Sequence, residues 1–67
     1  MPDNGSDLEL ARRHLEEADV RIERQRELVA ELHDRGQPTA LAHDLLASLI
    51  ETRRQMRAHY DYLRREG

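Results

Sequence analysis

The chain has 67 residues, no cysteine, and a formal net charge of −3 from eleven arginines, no lysine and fourteen acidic residues. A chain this short buries a small fraction of its surface and is normally stabilised by disulfides, a metal or oligomerisation. Without cysteine the disulfide and thiolate-zinc routes are excluded and oligomerisation stands first, while the acidic balance argues against a general nucleic-acid binder, which needs positive potential along the phosphates.

Charged residues make up 37% of the chain and the mean hydropathy is −0.95. Taken alone those values suit a disordered chain, but disorder goes with few and unpatterned apolar residues, and here they are strongly patterned. No apolar run approaches the ~18 residues of a membrane span, and no basic-then-apolar leader is present. A cytoplasmic protein without membrane contact is the default expectation.

Met1 to Gly5 reads as a disordered tail, because Pro, Asn and Gly favour turns and nothing there can pack. Ser6 is the expected N-cap of a first helix over about 6–35, and with Glu9 it makes a capping box. From there Leu8, Ala11, Leu15, Ala18, Ile22, Gln25, Val29 and Leu32 alternate spacings of three and four, an unbroken heptad seam interrupted chemically only by Gln25. Gly36 suits the left-handed residue after a helix, Pro38 forces extended geometry on its predecessor, and Thr39 serves as the next N-cap. A connection over 36–38 is short enough to lay two helices antiparallel.

The second helix is expected over about 39–65. Its seam reads Ala42, Leu45, Leu49, Thr52, Met56, His59 and Leu63, and a second row adds Leu41, Leu46, Ile50 and Tyr60. That stripe is wider than one neighbouring helix covers. Leaving Leu28, Leu41, Leu46 and Ile50 in water exposes a sizeable apolar patch, and burying such side chains is worth ~1.5–3 kcal/mol each before entropy. The expected fold is therefore all-α: an antiparallel two-helix hairpin that assembles as a homodimeric four-helix bundle, two-fold dimers being the commonest oligomers.

Polar residues on the seams are the first candidates for a specific role. Folding the hairpin is expected to bring Gln25 near Leu49 and Thr52, and His59 near Leu15 and His14. The favoured reading is that Gln25, Thr52, His59 and His14 fix register and oligomer state, as a polar seam residue does in a coiled coil. A pH-sensitive switch is the second, because histidine titrates near neutrality. Metal binding is the weakest: among His14, His33, His43 and His59 no pair has helical spacing and no Glu stands three residues ahead of one, so the Glu-x-x-His pattern of di-iron bundles is absent. No cofactor is expected.

An enzyme is not expected either. Ser6 and Ser48 are the only serines, three scattered glycines make no phosphate loop, and neighbours such as Glu16 and Glu17 sit in a solvated charged stretch. A basic stretch is more suggestive. Arg53, Arg54, Arg57, Arg64 and Arg65 surround Tyr60 and Tyr62, with Asp61 the one acid from 53 to 65, a composition able to contact RNA phosphates and bases. The competing reading pairs these arginines with Glu16, Glu17, Asp19 and Glu23 of the first helix.

Two resemblances follow from these residues. In length, hairpin form and heptads the whole chain is similar to the repressor-of-primer family, whose short hairpins dimerise into four-helix bundles and bind paired RNA loops. Over about 11–63, His14, Ala18, Ile22, Gln25, Leu28 and Leu32, then Gly36 and Pro38-Thr39-Ala40, then Ala42, Leu45-Leu46, Met56 and His59 resemble a family of short alphaproteobacterial proteins without an assigned activity. Its members typically carry Asp where this chain has Pro38. The likeness implies that His14, Gln25 and His59 are more than incidental. The functional expectation is a non-enzymatic homodimer acting as a protein–protein interaction or regulatory module, with a small RNA-binding regulator as the alternative. The core and dimer interface is assigned to Leu15, Ile22, Leu28, Val29, Leu32, Leu41, Leu45, Leu46, Leu49, Ile50, Met56 and Leu63.

Overall fold

A computed structural model describes residues 4–66. It holds two helices, α1 (Asn4–Asp34) and α2 (Ala40–Glu66), packed against each other. From Ser6 to Asp34 the chain contains neither Gly nor Pro and is rich in Leu, Ala, Glu and Arg, residues that lose little freedom in a helix. At ~1.5 Å per residue, α1 runs roughly 46 Å and α2 roughly 40 Å. The molecule measures 54 × 15 × 14 Å, a rod of two helices.

The first helix begins at Asn4, two residues before the expected Ser6 cap. The tail assigned to 1–5 thus lies outside the described residues for 1–3, while Asn4 and Gly5 are already helical. Extending a helix past a capping residue costs only the propensity of the added residues, about 1 kcal/mol at most each, and ends shift by one or two positions readily. Ser6 therefore sits inside the first turn. Glu9 does not reach back to it: its Oε1 accepts a hydrogen bond from Arg12 Nη2 at 2.6 Å, and Arg12 Nη1 donates to Glu16 at 2.8 Å. A charged donor one turn ahead is the stronger partner, and Glu9 foremost, then Glu16, raises the Arg12 pKa above its ordinary value.

The C-terminus of α1 follows the sequence closely. Gly36 has φ +69°, the left-handed conformation that L side chains resist. Gly36 N–H donates to the His33 carbonyl at 3.0 Å and Gln37 N–H to the Leu32 carbonyl at 2.9 Å, the paired bonds of a Schellman motif. His43 N–H then donates to the Thr39 carbonyl at 2.8 Å, which makes Thr39 the N-cap of α2.

On α1 the buried row is Ala11, Leu15, Ala18 and Ile22, each 7–8% exposed, followed by Gln25, with Leu8, Val29 and Leu32 half-buried. That is the seam read from the heptads. On α2 the seam is rotated from the expected one. Ala42, Leu46, Leu49, Arg53, Met56, Tyr60 and Leu63 are half-buried against α1, and Leu45, Thr52 and His59 are exposed. The stripe on α2 is wide enough for either choice. Turning Leu46, Arg53 and Tyr60 inward buries more aliphatic and aromatic surface than Thr52 and His59 offer, and it lets Arg53 Nε donate to Asp19 Oδ1 across the helices.

Candidate interaction surface

Of the four polar seam residues, only Gln25 is buried; His14, Thr52 and His59 are exposed. Gln25, expected near Leu49 and Thr52, donates from Nε2 to the Ala42 carbonyl at 2.9 Å. The bond ties the middle of α1 to the first turn of α2, and with Asp19–Arg53 it fixes the axial register of the hairpin. The described residues leave no buried side-chain polar atom without a partner.

A two-helix rod has two broad faces, one on either side of the plane containing both axes. On the first, Asp19, Glu23 and Arg26 of α1 line a groove with Ile50, Arg53, Arg54 and Arg57 of α2. The arginines of the basic stretch are largely engaged with carboxylates: Arg53 with Asp19 across the helices, Arg54 with Glu51 at 3.3 Å and Arg57 with Asp61 at 3.3 Å. Arg64 lies over the Tyr60 ring, 5.7 Å from its centroid, within cation–π reach. Only Asp19 among the acids expected on α1 supplies such a cross-helix pair; the other two are formed within α2, because residues three or four apart on one helix are the nearest neighbours.

The second face is lined at its centre by His14, Glu17 and Arg21 of α1 and by Leu49, Thr52 and Met56 of α2. Along it α2 presents Leu41, Leu45, Ser48, Thr52, Gln55, His59 and Tyr62, spaced four and three in turn and all without formal charge. Leu41 is 85% exposed, Leu45 51% and Tyr62 53%. On α1 the same side carries the exposed Leu10 and Leu28, which helical periodicity sets on the His14 and Arg21 flank. In the register that pairs Asp19 with Arg53, Leu28 stands level with Leu45, and Leu10 with Tyr62. Val20, half-exposed, lies alone on the back of α1.

The uncharged row of α2 is the feature that reading the seams missed. Ser48, Gln55 and Tyr62 belong to it, and the signal is present in the sequence: an edge without charge over about six helical turns, in a chain with 37% charged residues. Among the described residues no three His, Cys, Asp or Glu side chains form a group able to hold a metal ion, and neither helix is long and apolar enough to cross a membrane. Comparison with protein-family models, with curated proteins and with solved structures finds no match.

Proposed function

We propose that this protein acts by assembly, as a non-enzymatic homodimer in which two hairpins form a four-helix bundle that serves as a protein-interaction or regulatory module. One asymmetry carries the reading: α1 buries a continuous row against α2, whereas α2 buries no residue at all. A helix with Leu41, Leu45, Leu46, Leu49, Ile50, Met56 and Leu63 on its surface and none fully covered is half of a larger core. The area agrees. The chain exposes 5426 Å², about 1,000 Å² more than the ~4,400 Å² of a compact monomer of 7.9 kDa. One partner in a standard interface gives up ~800 Å². The likeness to repressor-of-primer hairpins supports the architecture alone, since fold does not carry function.

Sedimentation equilibrium at micromolar concentration tests it. A mass twice the chain's 7.9 kDa is expected, and a folded species at the single-chain mass refutes it.

Structured RNA is the second reading, favoured by the convergence of Arg26 with Arg53, Arg54 and Arg57 in one groove. It has less support, because three of these guanidiniums already face carboxylates and releasing them for phosphate forfeits those contacts. It requires a low-salt gel shift with structured RNA that Arg53→Ala combined with Arg57→Ala abolishes; without any shift the reading fails.

A further inference from the structure

We infer that the second copy seats on the uncharged face of the hairpin and runs in the reverse direction, with the two-fold axis passing beside Thr52. This inference rests on the dimer reading and adds the face, the direction and the residue at the axis.

The choice of face comes from exposure and charge together. Among the described residues six large apolar side chains stand exposed, and five of them, Leu10, Leu28, Leu41, Leu45 and Tyr62, lie on this side, Val20 being the exception. The opposite groove also holds Ile22 and Ile50 but is lined mainly by charged side chains, with Arg53, Arg54 and Arg57 each ion-paired, and stacking a copy there would strip water from those charges.

The direction follows from symmetry. In an isologous interface every residue meets the position equally far on the other side of the axis. Thr52 stands near the middle of α2 (Ala40–Glu66), so an axis there overlaps the two hairpins along their full length. About that point the uncharged row is self-complementary: Leu41 falls opposite the second copy's Tyr62, Leu45 opposite its His59, and Ser48 opposite its Gln55. Apolar rings and leucines meet at the ends, while hydroxyl and amide meet nearer the centre. The small Ser48 and Thr52 at the crossing permit close approach of the two helices. On α1 the axis then falls level with Val20, which brings Glu17 within a turn of the second copy's Arg24 at both symmetry-related positions. Arg21 comes near its own copy, but with Glu17 of each chain one turn away. Reversed stacking thus aligns unlike charges on α1 and uncharged side chains on α2 at once.

The chain has no cysteine, so single substitutions give clean disulfide reporters. Thr52→Cys is expected to oxidise under native conditions to a covalent dimer that retains helix content, and Arg54→Cys, on the charged face, to remain unlinked. Thr52→Glu places two carboxylates across the axis and is expected to weaken dimerisation on the order of 100-fold, while Thr52→Val leaves it unchanged or tighter. Thr52 is exposed in the hairpin, so these changes act on the interface and not on hairpin packing, which far-ultraviolet circular dichroism at high concentration checks. If the unmodified chain sediments as a dimer but links through Arg54→Cys and not Thr52→Cys, or tolerates Thr52→Glu, the assigned face is wrong although the dimer stands. If the unmodified chain is a folded monomer, the dimer reading itself falls.

Discussion

Leu45 and Val20 provide a matched pair, because they are almost equally exposed in the hairpin, at 51% and 50%, while only Leu45 lies on the uncharged face and Val20 stands on the back of α1. Truncation of either to Ala removes apolar atoms that are about half in water already. In an isolated hairpin the two substitutions therefore cost similar small amounts, with Val20→Ala partly offset by the better helix propensity of Ala. In the proposed dimer they diverge. Full burial of a leucine is worth ~1.5–3 kcal/mol, and the half of Leu45 left open by its own chain is worth about 1 kcal/mol when the second copy covers it. Two such side chains per dimer give about 2 kcal/mol, or roughly a 30-fold weaker dimer for Leu45→Ala. Val20→Ala leaves the dissociation constant unchanged. Sedimentation equilibrium across a hundredfold range of concentration measures the two constants directly. Thermal melts give the second readout, since a chain stabilised by pairing melts at a temperature that rises with concentration. Equal constants for the two variants, or a melting temperature independent of concentration, refute the reasoning.

Three further outcomes follow from the hairpin itself. Ile22→Ala empties a bulky position of α1 that is as fully enclosed as Leu15 and is expected to cost about 2–4 kcal/mol, read as a lower denaturant midpoint at unchanged slope, with Ile22→Val costing about 1 kcal/mol. A Cβ at Gly36 meets nothing within 4 Å, so Gly36→Ala is penalised by its left-handed backbone alone, about 1–2 kcal/mol, and Gly36→Asn by clearly less; equal losses for both contradict a conformational origin. Removing the Asp19–Arg53 pair by Asp19→Asn is expected to cost less than about 1 kcal/mol, because the Asp19 side chain is 56% exposed and solvent screens such pairs, and the loss shrinks further in high salt.

What the sequence declares about this fold is what local chemistry decides. Gly36 is the residue that adopts positive φ, Thr39 caps the second helix, and the three-and-four spacing on α1 predicts the row from Ala11 to Gln25 because only one face of that helix is apolar. Rotation of α2 is a different kind of question. Its apolar arc is broad, so Leu45, Thr52 and His59 satisfy heptad spacing as well as Leu46, Arg53 and Tyr60 do. Periodicity is blind to the reach of Arg53 toward Asp19, which favours the second set. The same breadth explains why the His14 and His59 expected inside the seam stand in water: within one hairpin no helix is left to cover them.

Gln25 shows how the two levels combine. A polar residue in an otherwise apolar row specifies register when its hydrogen bonds are satisfied in one alignment only. Here the acceptor is a main-chain carbonyl in the first turn of α2, a group every sequence possesses, so no pattern of side chains announces it. Sliding α2 by one residue along α1 would rotate that carbonyl away and leave a buried amide unpaired, at a cost of about 1–3 kcal/mol. Together with Asp19–Arg53 the contact holds the hairpin in the alignment that sets Leu28 level with Leu45 and Leu10 level with Tyr62. The exposed face inherits its order from these two contacts, and that order is the fixed pattern a second copy would match.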